Sequence, residues 1–299
     1  MPQLRLRIAD VLFAFASRDP AFSLCVPPPA EAFVVEEDGA VPDLLVEARY
    51  DDLSRLDPGR VIFDSSGTWR LHERSDAEQC FVFHSDAFGA VPYKMAFVGR
   101  TMDRVDVRLH RGYFATSEPR YPLEHPLDEL LMLNLLATRH GVEVHSSGVV
   151  DTDGRGRLFV GMSGAGKSTI SSLWLERRPS VTILSDDRIV LRRQGGRMWM
   201  HGTPWHGEAH LSAPASAPLE HVYFLRQASA NRTVPVDGAA AVARLLACTF
   251  APFHSAPGIA AAMAFLDELV HTVPCSELSF VRDASVIDSL TDSLTGADS

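Results

Sequence analysis

Residues 161–169 read GMSGAGKST, with the apolar run RLFV (157–160) before them and ISSLWLER (170–177) after them. Gly161, Gly166, Lys167 and Ser168 satisfy the spacing G-x-x-x-x-G-K-[ST], in the strand, loop and helix setting that the pattern requires. Glycines let the backbone fold tightly around an anion so that successive amide N–H groups turn inward. The start of the following helix adds its partial positive charge. Lys167 would then reach the β- and γ-phosphates of a nucleotide, and Ser168 would ligate Mg²⁺.

A second short run, VTILSDD (181–187), follows the expected helix at 167–177. A carboxylate that orients the metal is usually found at the end of such a strand. Here there are two, Asp186 and Asp187. Adjacent side chains of an extended chain point to opposite faces, so one can face Mg²⁺ while its neighbour faces a substrate hydroxyl or a structural partner. Downstream, HGTPWHGE (201–208) forms a dense polar and aromatic loop. Its glycines and proline fix the path, Trp205 offers a stacking surface, and His206 and Glu208 offer hydrogen bonds or a metal contact. The loop is expected to face the glycine loop as a substrate-binding or metal-coordinating segment. His201, His206 and His210 match no closed zinc pattern, and no cysteine lies near them. Arg188 and Arg226 read as ion-pair arginines or as a source of positive charge for phosphate.

The sequences VHSSGVV (144–150), RLFVGMSGAGKST (157–169) and ILSDDR (183–188) together resemble the kinase core of the HPr kinase/phosphorylase family. That family is related in fold to ATP-dependent phosphoenolpyruvate carboxykinases. The resemblance covers about residues 140–202. It implies phosphoryl transfer from ATP, with Mg²⁺, to a hydroxyl acceptor: a serine of a peptide or protein, or a small hydroxylated metabolite. By the same resemblance Gly161, Met162, Ser163, Gly164, Ala165, Gly166, Lys167, Ser168 and Thr169 would hold ATP. Lys167 would stabilise the transferring group. Ser168, Asp186 and Glu208 would serve the metal, and one of Asp186 and Asp187, with Asp187 preferred, would accept the hydroxyl proton. His145, on the strand before the loop, would position or polarise the phosphate site. Two departures stand out. WMHGTPWHGE (199–208) replaces the family's E-I-R-G-x-G segment, and Thr169 replaces a glutamate, so HPr itself is a weak substrate guess. The competing readings are a nucleotide-dependent regulatory or peptide-binding module without turnover, and a carboxykinase-like lyase.

Around this core, residues 1–118 carry short apolar or alternating runs broken by turn signals: LRLRI, AFVVEE, DLLVEARY, RVIFD, TWRLHE, CFVFHS, KMAFVG and VDVRLH. They predict a mainly antiparallel β region. Residues 119–299 are expected to form the kinase domain. Its first helix lies in RYPLEHPLDELLMLNLLATRHG, and the two domains would meet near 115–120. The overall expectation is an α/β, or α+β, protein with a frayed tail beyond Thr295. The 299 residues, 46% hydrophobic, suffice for a real core. A formal net charge of -10 disfavours a broad grip on nucleic acid or anionic lipid. No apolar run reaches membrane-spanning length, and Asp10 interrupts the apolar N-terminus, so a soluble cytoplasmic protein is expected. The four cysteines are widely spaced, and most of them read as small buried side chains. Oligomerisation is left open.

Overall fold

The computed structural model describes residues 4–114 and 118–295. Part of the expected boundary at 115–120, and the tail beyond Thr295, lie outside the described residues. The chain forms two compact units, Met1–Leu135 and Leu136–Ser299, and the division falls inside a helix (Leu127–Thr138). Among the described residues, no helix is long and apolar enough to cross a membrane.

The first unit holds an eight-stranded sheet: β1 (Leu4–Ile8), β2 (Val11–Ser17), β3 (Leu44–Asp51), β4 (Arg60–Asp64), β5 (Trp69–Ser75), β6 (Glu78–Ser85), β7 (Gly89–Gly99) and β8 (Arg104–His110). The spatial order is β1-β2-β3-β8-β7-β6-β5-β4. Hairpin neighbours pair antiparallel, whereas β2–β3 and β3–β8 pair parallel. In β3 the alternation is strict: Leu44, Val46, Ala48 and Tyr50 are buried, while Arg49 and Asp51 join an outer ladder with Asp106 and Arg108. Short helices α1 (Pro28–Glu31) and α2 (Arg111–Phe114) complete this unit, and α3 (Leu127–Thr138) crosses the division.

Two expectations need correction. AFVVEE (32–37) is no strand; it follows α1 and makes only an isolated bridge, Val34 to Leu6. VLFAFAS, read only as an apolar N-terminus, is β2. Its first five residues are all buried, so the strand shows no alternation by which to recognise it.

The second unit contains β9 (Gly141–Val150), β10 (Gly156–Val160), β11 (Thr182–Ser185), β12 (Arg188–Gln194), β13 (Arg197–His201), β14 (Ser216–Gln227), β15 (Arg232–Pro235), β16 (Thr249–Phe250) and β17 (Cys275–Phe280). β9 runs antiparallel to both β10 and β11. β10 pairs parallel with β14, and β14 with β17. Four strands, β11, β10, β14 and β17, therefore point the same way, and their carboxyl ends share one edge. Alternation along the parallel strands feeds two cores. Leu158, Val160, Val222 and Phe224 pack with α5 (Gly238–Leu246) and α6 (Ala256–Thr272). Phe159 and Tyr223 pack with α4 (Lys167–Arg177) and α7 (Ser285–Thr295). Helices thus cover both faces of a mixed sheet, and the loops at its carboxyl edge are free to build a site.

Candidate functional site

β10 ends at Val160, and α4 begins at Lys167 after a loop of six residues. Gly166 makes this turn possible. Its φ is +107°, and a Cβ there would lie 2.7 Å from Phe280 Cζ, so neither the backbone nor the space admits a larger residue. Gly164 is also left-handed, with φ +81°. Lys167 is buried, and its ammonium donates to Gly161 O at 3.0 Å across the mouth of the loop. Burial lowers its pKa, and Asp187 foremost opposes that shift.

The two carboxylates stand in the bend between β11 and β12. Ser185 Oγ shapes the bend by accepting from Asp187 N (3.2 Å) and Arg188 N (3.1 Å) while donating to Trp205 O (3.0 Å). Asp186 is 1% exposed. Its Oδ1 accepts from Gly207 N at 2.9 Å, its Oδ2 accepts from Ala209 N at 3.0 Å, and Ser168 Oγ lies 3.4 Å from Oδ2. The HGTPWHGE loop thereby folds over Asp186. A Cβ on Gly207 would sit 2.9 Å from Asp186 Oδ2, so only glycine lets the backbone approach this closely.

Asp187 turns the other way. Its Oδ1 lies 2.8 Å from His145 Nε2, and Arg188 donates to its Oδ2. Burial pushes its pKa up, but the His145 hydrogen bond and the charges of Arg188 and Lys167 outweigh that and hold the carboxyl below its usual range. An ionised carboxylate only accepts, so His145 Nε2 carries the proton of this hydrogen bond. His145 is itself fixed: it stands opposite Arg188 in the β9–β12 register, and its N–H donates to Cys248 O at 2.7 Å. Arg188 also reaches buried Glu143 at 3.4 Å and lies over the Phe250 ring.

Together these elements enclose a cleft of about 470 Å³ lined by the glycine loop, Lys167, Ser168, Thr169, His145, Asp187, Gly207 and Glu208. No family model matches the chain, and no curated protein matches it. Comparison with solved structures does return a match, at a low TM-score. That structure is the Hpr(Ser) kinase/phosphatase from Coxiella burnetii, at a TM-score of 0.30 and 13% sequence identity, covering 51% of this chain and 95% of that one.

Of the other residues singled out in the sequence, Met162 is exposed, with its sulfur 3.8 Å from Cys248 Sγ. Ala165 N donates to Met162 O within the loop. Arg226 does not face the cleft; it pairs with Glu277 at 3.0 Å. The His206 and His210 rings stand 4.6 Å apart. Among the described residues, no group of three or more His, Cys, Asp or Glu is placed to hold a metal. Ser168 and Asp186 nevertheless present the hard oxygen donors that Mg²⁺ takes from a protein when phosphates and waters complete its shell. Sequence reasoning missed Arg282, which lines the cleft from the turn after β17. It belongs to no motif, and only the neighbouring strand ends bring it there.

Proposed function

We propose that the protein is an ATP- and Mg²⁺-dependent kinase that transfers the γ-phosphoryl group to a hydroxyl acceptor, a serine of a peptide or protein or a small hydroxylated metabolite. The observation that carries this reading is the division of labour between the adjacent carboxylates. Asp186 is buried behind the cleft wall beside Ser168, whereas Asp187 lines the cleft itself and is held there by His145.

The inward amides of the glycine loop would bind the phosphate chain, and Lys167 would turn from Gly161 O to the phosphoryl oxygens. Ser168 and Asp186, with Glu208 at the rim, would hold Mg²⁺, which when bound draws negative charge off the phosphates. Asp187 would orient the acceptor hydroxyl and take its proton. The acceptor oxygen then forms its bond to the γ-phosphorus as the bond to the bridging oxygen breaks, and ADP leaves. His145 and Arg188 hold the Asp187 carboxylate in place, so that positioning rather than base strength supplies the rate.

The test is incubation with Mg²⁺ and γ-labelled ATP against a pool of serine peptides and hydroxylated metabolites, with Lys167→Ala in parallel. Label should move to an acceptor with the wild-type protein and not with the variant. ATP binding without any labelled acceptor would contradict the kinase reading and favour a nucleotide-dependent regulatory module.

A further inference from the structure

Arg282 has an exposed side chain on the wall of the cleft that also holds Ser163, Gly164 and Gly166. The turn that carries it is braced from several sides. Val281 N donates to Asn231 Oδ1 at 2.8 Å, Ala228 N donates to Phe280 O at 2.9 Å, and Asp283 Oδ1 accepts from Ser285 N at 2.9 Å. Phe280, two residues before Arg282, packs beneath Gly166. The backbone at Arg282 is thus tied to the glycine loop, whereas its guanidinium makes no hydrogen bond or ion pair among the described residues. Elsewhere in the same unit Arg157, Arg188, Arg193, Arg226 and Arg244 are all engaged by carboxylates.

The strand order gives this arginine a direction. At the carboxyl edge the parallel strands lie as β11, β10, β14 and β17, with β9 antiparallel between the first two. The carboxylates follow β11, the glycine loop follows β10, and Arg282 follows β17. An anion in the glycine loop therefore has the carboxylates on one flank and Arg282 on the other. Gln227, at the end of β14, donates to Gly164 O at 2.8 Å and fixes the loop on the Arg282 side.

We infer that Arg282 binds the phosphate chain on its ADP side, away from the acceptor. The inference rests on the nucleotide-binding reading of the glycine loop and adds a residue to it. The planar guanidinium fork can hold two phosphate oxygens at once. Placed there, it offsets the charge that gathers on ADP as the bond to the γ-phosphorus breaks.

The test is calorimetric titration of the full chain with ADP and with ATP, for the wild type, Arg282→Ala and Arg282→Lys, with the melting temperature of each measured without ligand. Arg282→Ala should weaken both nucleotides about ten- to a hundredfold and leave the melting temperature unchanged, because no protein contact is lost. Arg282→Lys should fall between. Unchanged ADP affinity would overturn the inference, as would weakening confined to ATP, which would place the arginine on the γ-phosphate. A wild-type protein that binds neither nucleotide would remove it together with the kinase reading. Weakened ADP binding by Arg282→Ala, in a protein that transfers no label, would uphold Arg282 and remove the kinase reading alone.

Discussion

His145 Nε2 lies 2.8 Å from Asp187 Oδ1 across the β9–β12 pair. Ser146 N, the next residue along β9, donates to Asp187 O at 3.0 Å. One strand therefore holds Asp187 twice, its carbonyl through the Ser146 backbone and its carboxylate through the His145 side chain. His145→Ala should free the carboxylate to rotate, lowering turnover about ten- to a hundredfold while nucleotide affinity stays within about twofold, since general-base contributions are of order 10²–10⁴ and Arg188 still holds the second oxygen. Steady-state rates and equilibrium titration on the same preparation check this.

Asp186 meets two backbone N–H groups and Ser168. In the proposed scheme Asp186→Ala should abolish the enhancement of ATP binding by Mg²⁺. It should also cost about 1–3 kcal/mol of stability, because Gly207 N and Ala209 N lose their acceptors. Titrations with ATP in Mg²⁺ and in EDTA, with denaturant unfolding, separate the two effects.

Gly166 combines φ +107° with the Phe280 ring 2.7 Å from a would-be Cβ. Gly166→Ala should destabilise the second unit by about 1–3 kcal/mol and sharply weaken ATP binding, whereas Gly195→Ala, in an open left-handed turn with nothing within 4 Å, should leave ATP binding intact. Thermal melts with and without ATP distinguish them.

His221 stacks on Tyr223, and its Nε2 lies 3.0 Å from Ser276 Oγ. Burial, and then the charge of Arg157, lower its pKa from 6.5 to about 4. The unfolded chain takes up this proton near pH 6.5 and the folded chain only near pH 4, so between them the unfolded state binds more protons. Stability from this group is full above pH 6.5 and is lost as pH falls toward 4. His221→Gln should flatten the stability–pH curve in that window, as measured by urea unfolding at successive pH values.

Much of the second unit is legible in the sequence because local signals and tertiary context agree there. The glycine spacing marks the start of α4, the apolar run before it marks β10, and DTDGRG marks the hairpin. The first unit is less legible. The continuous apolar run of β2 hides its period, and β2–β3 and β3–β8 pair parallel through chain connections that no turn motif announces. At the candidate site the residue types could be read, and the family resemblance already preferred Asp187 as the base, but what each carboxylate touches could not. Adjacency alone left Asp186 and Asp187 equivalent, and what distinguishes them is backbone from Gly207 and Ala209 on one side and His145 on the other. Arg282 was invisible because it reaches the cleft from a strand end more than a hundred residues after the glycine loop.

The most direct measurement is single-turnover transfer of label from γ-labelled Mg-ATP to an acceptor by the wild type and by Asp187→Asn, with ATP affinity measured on both. The account predicts transfer by the wild type, a loss of about 10²-fold or more in Asp187→Asn, and ATP affinities that agree within about twofold. Equal transfer rates in the two proteins would contradict the role given to Asp187, and absence of transfer by the wild type to any hydroxyl acceptor would contradict the kinase itself.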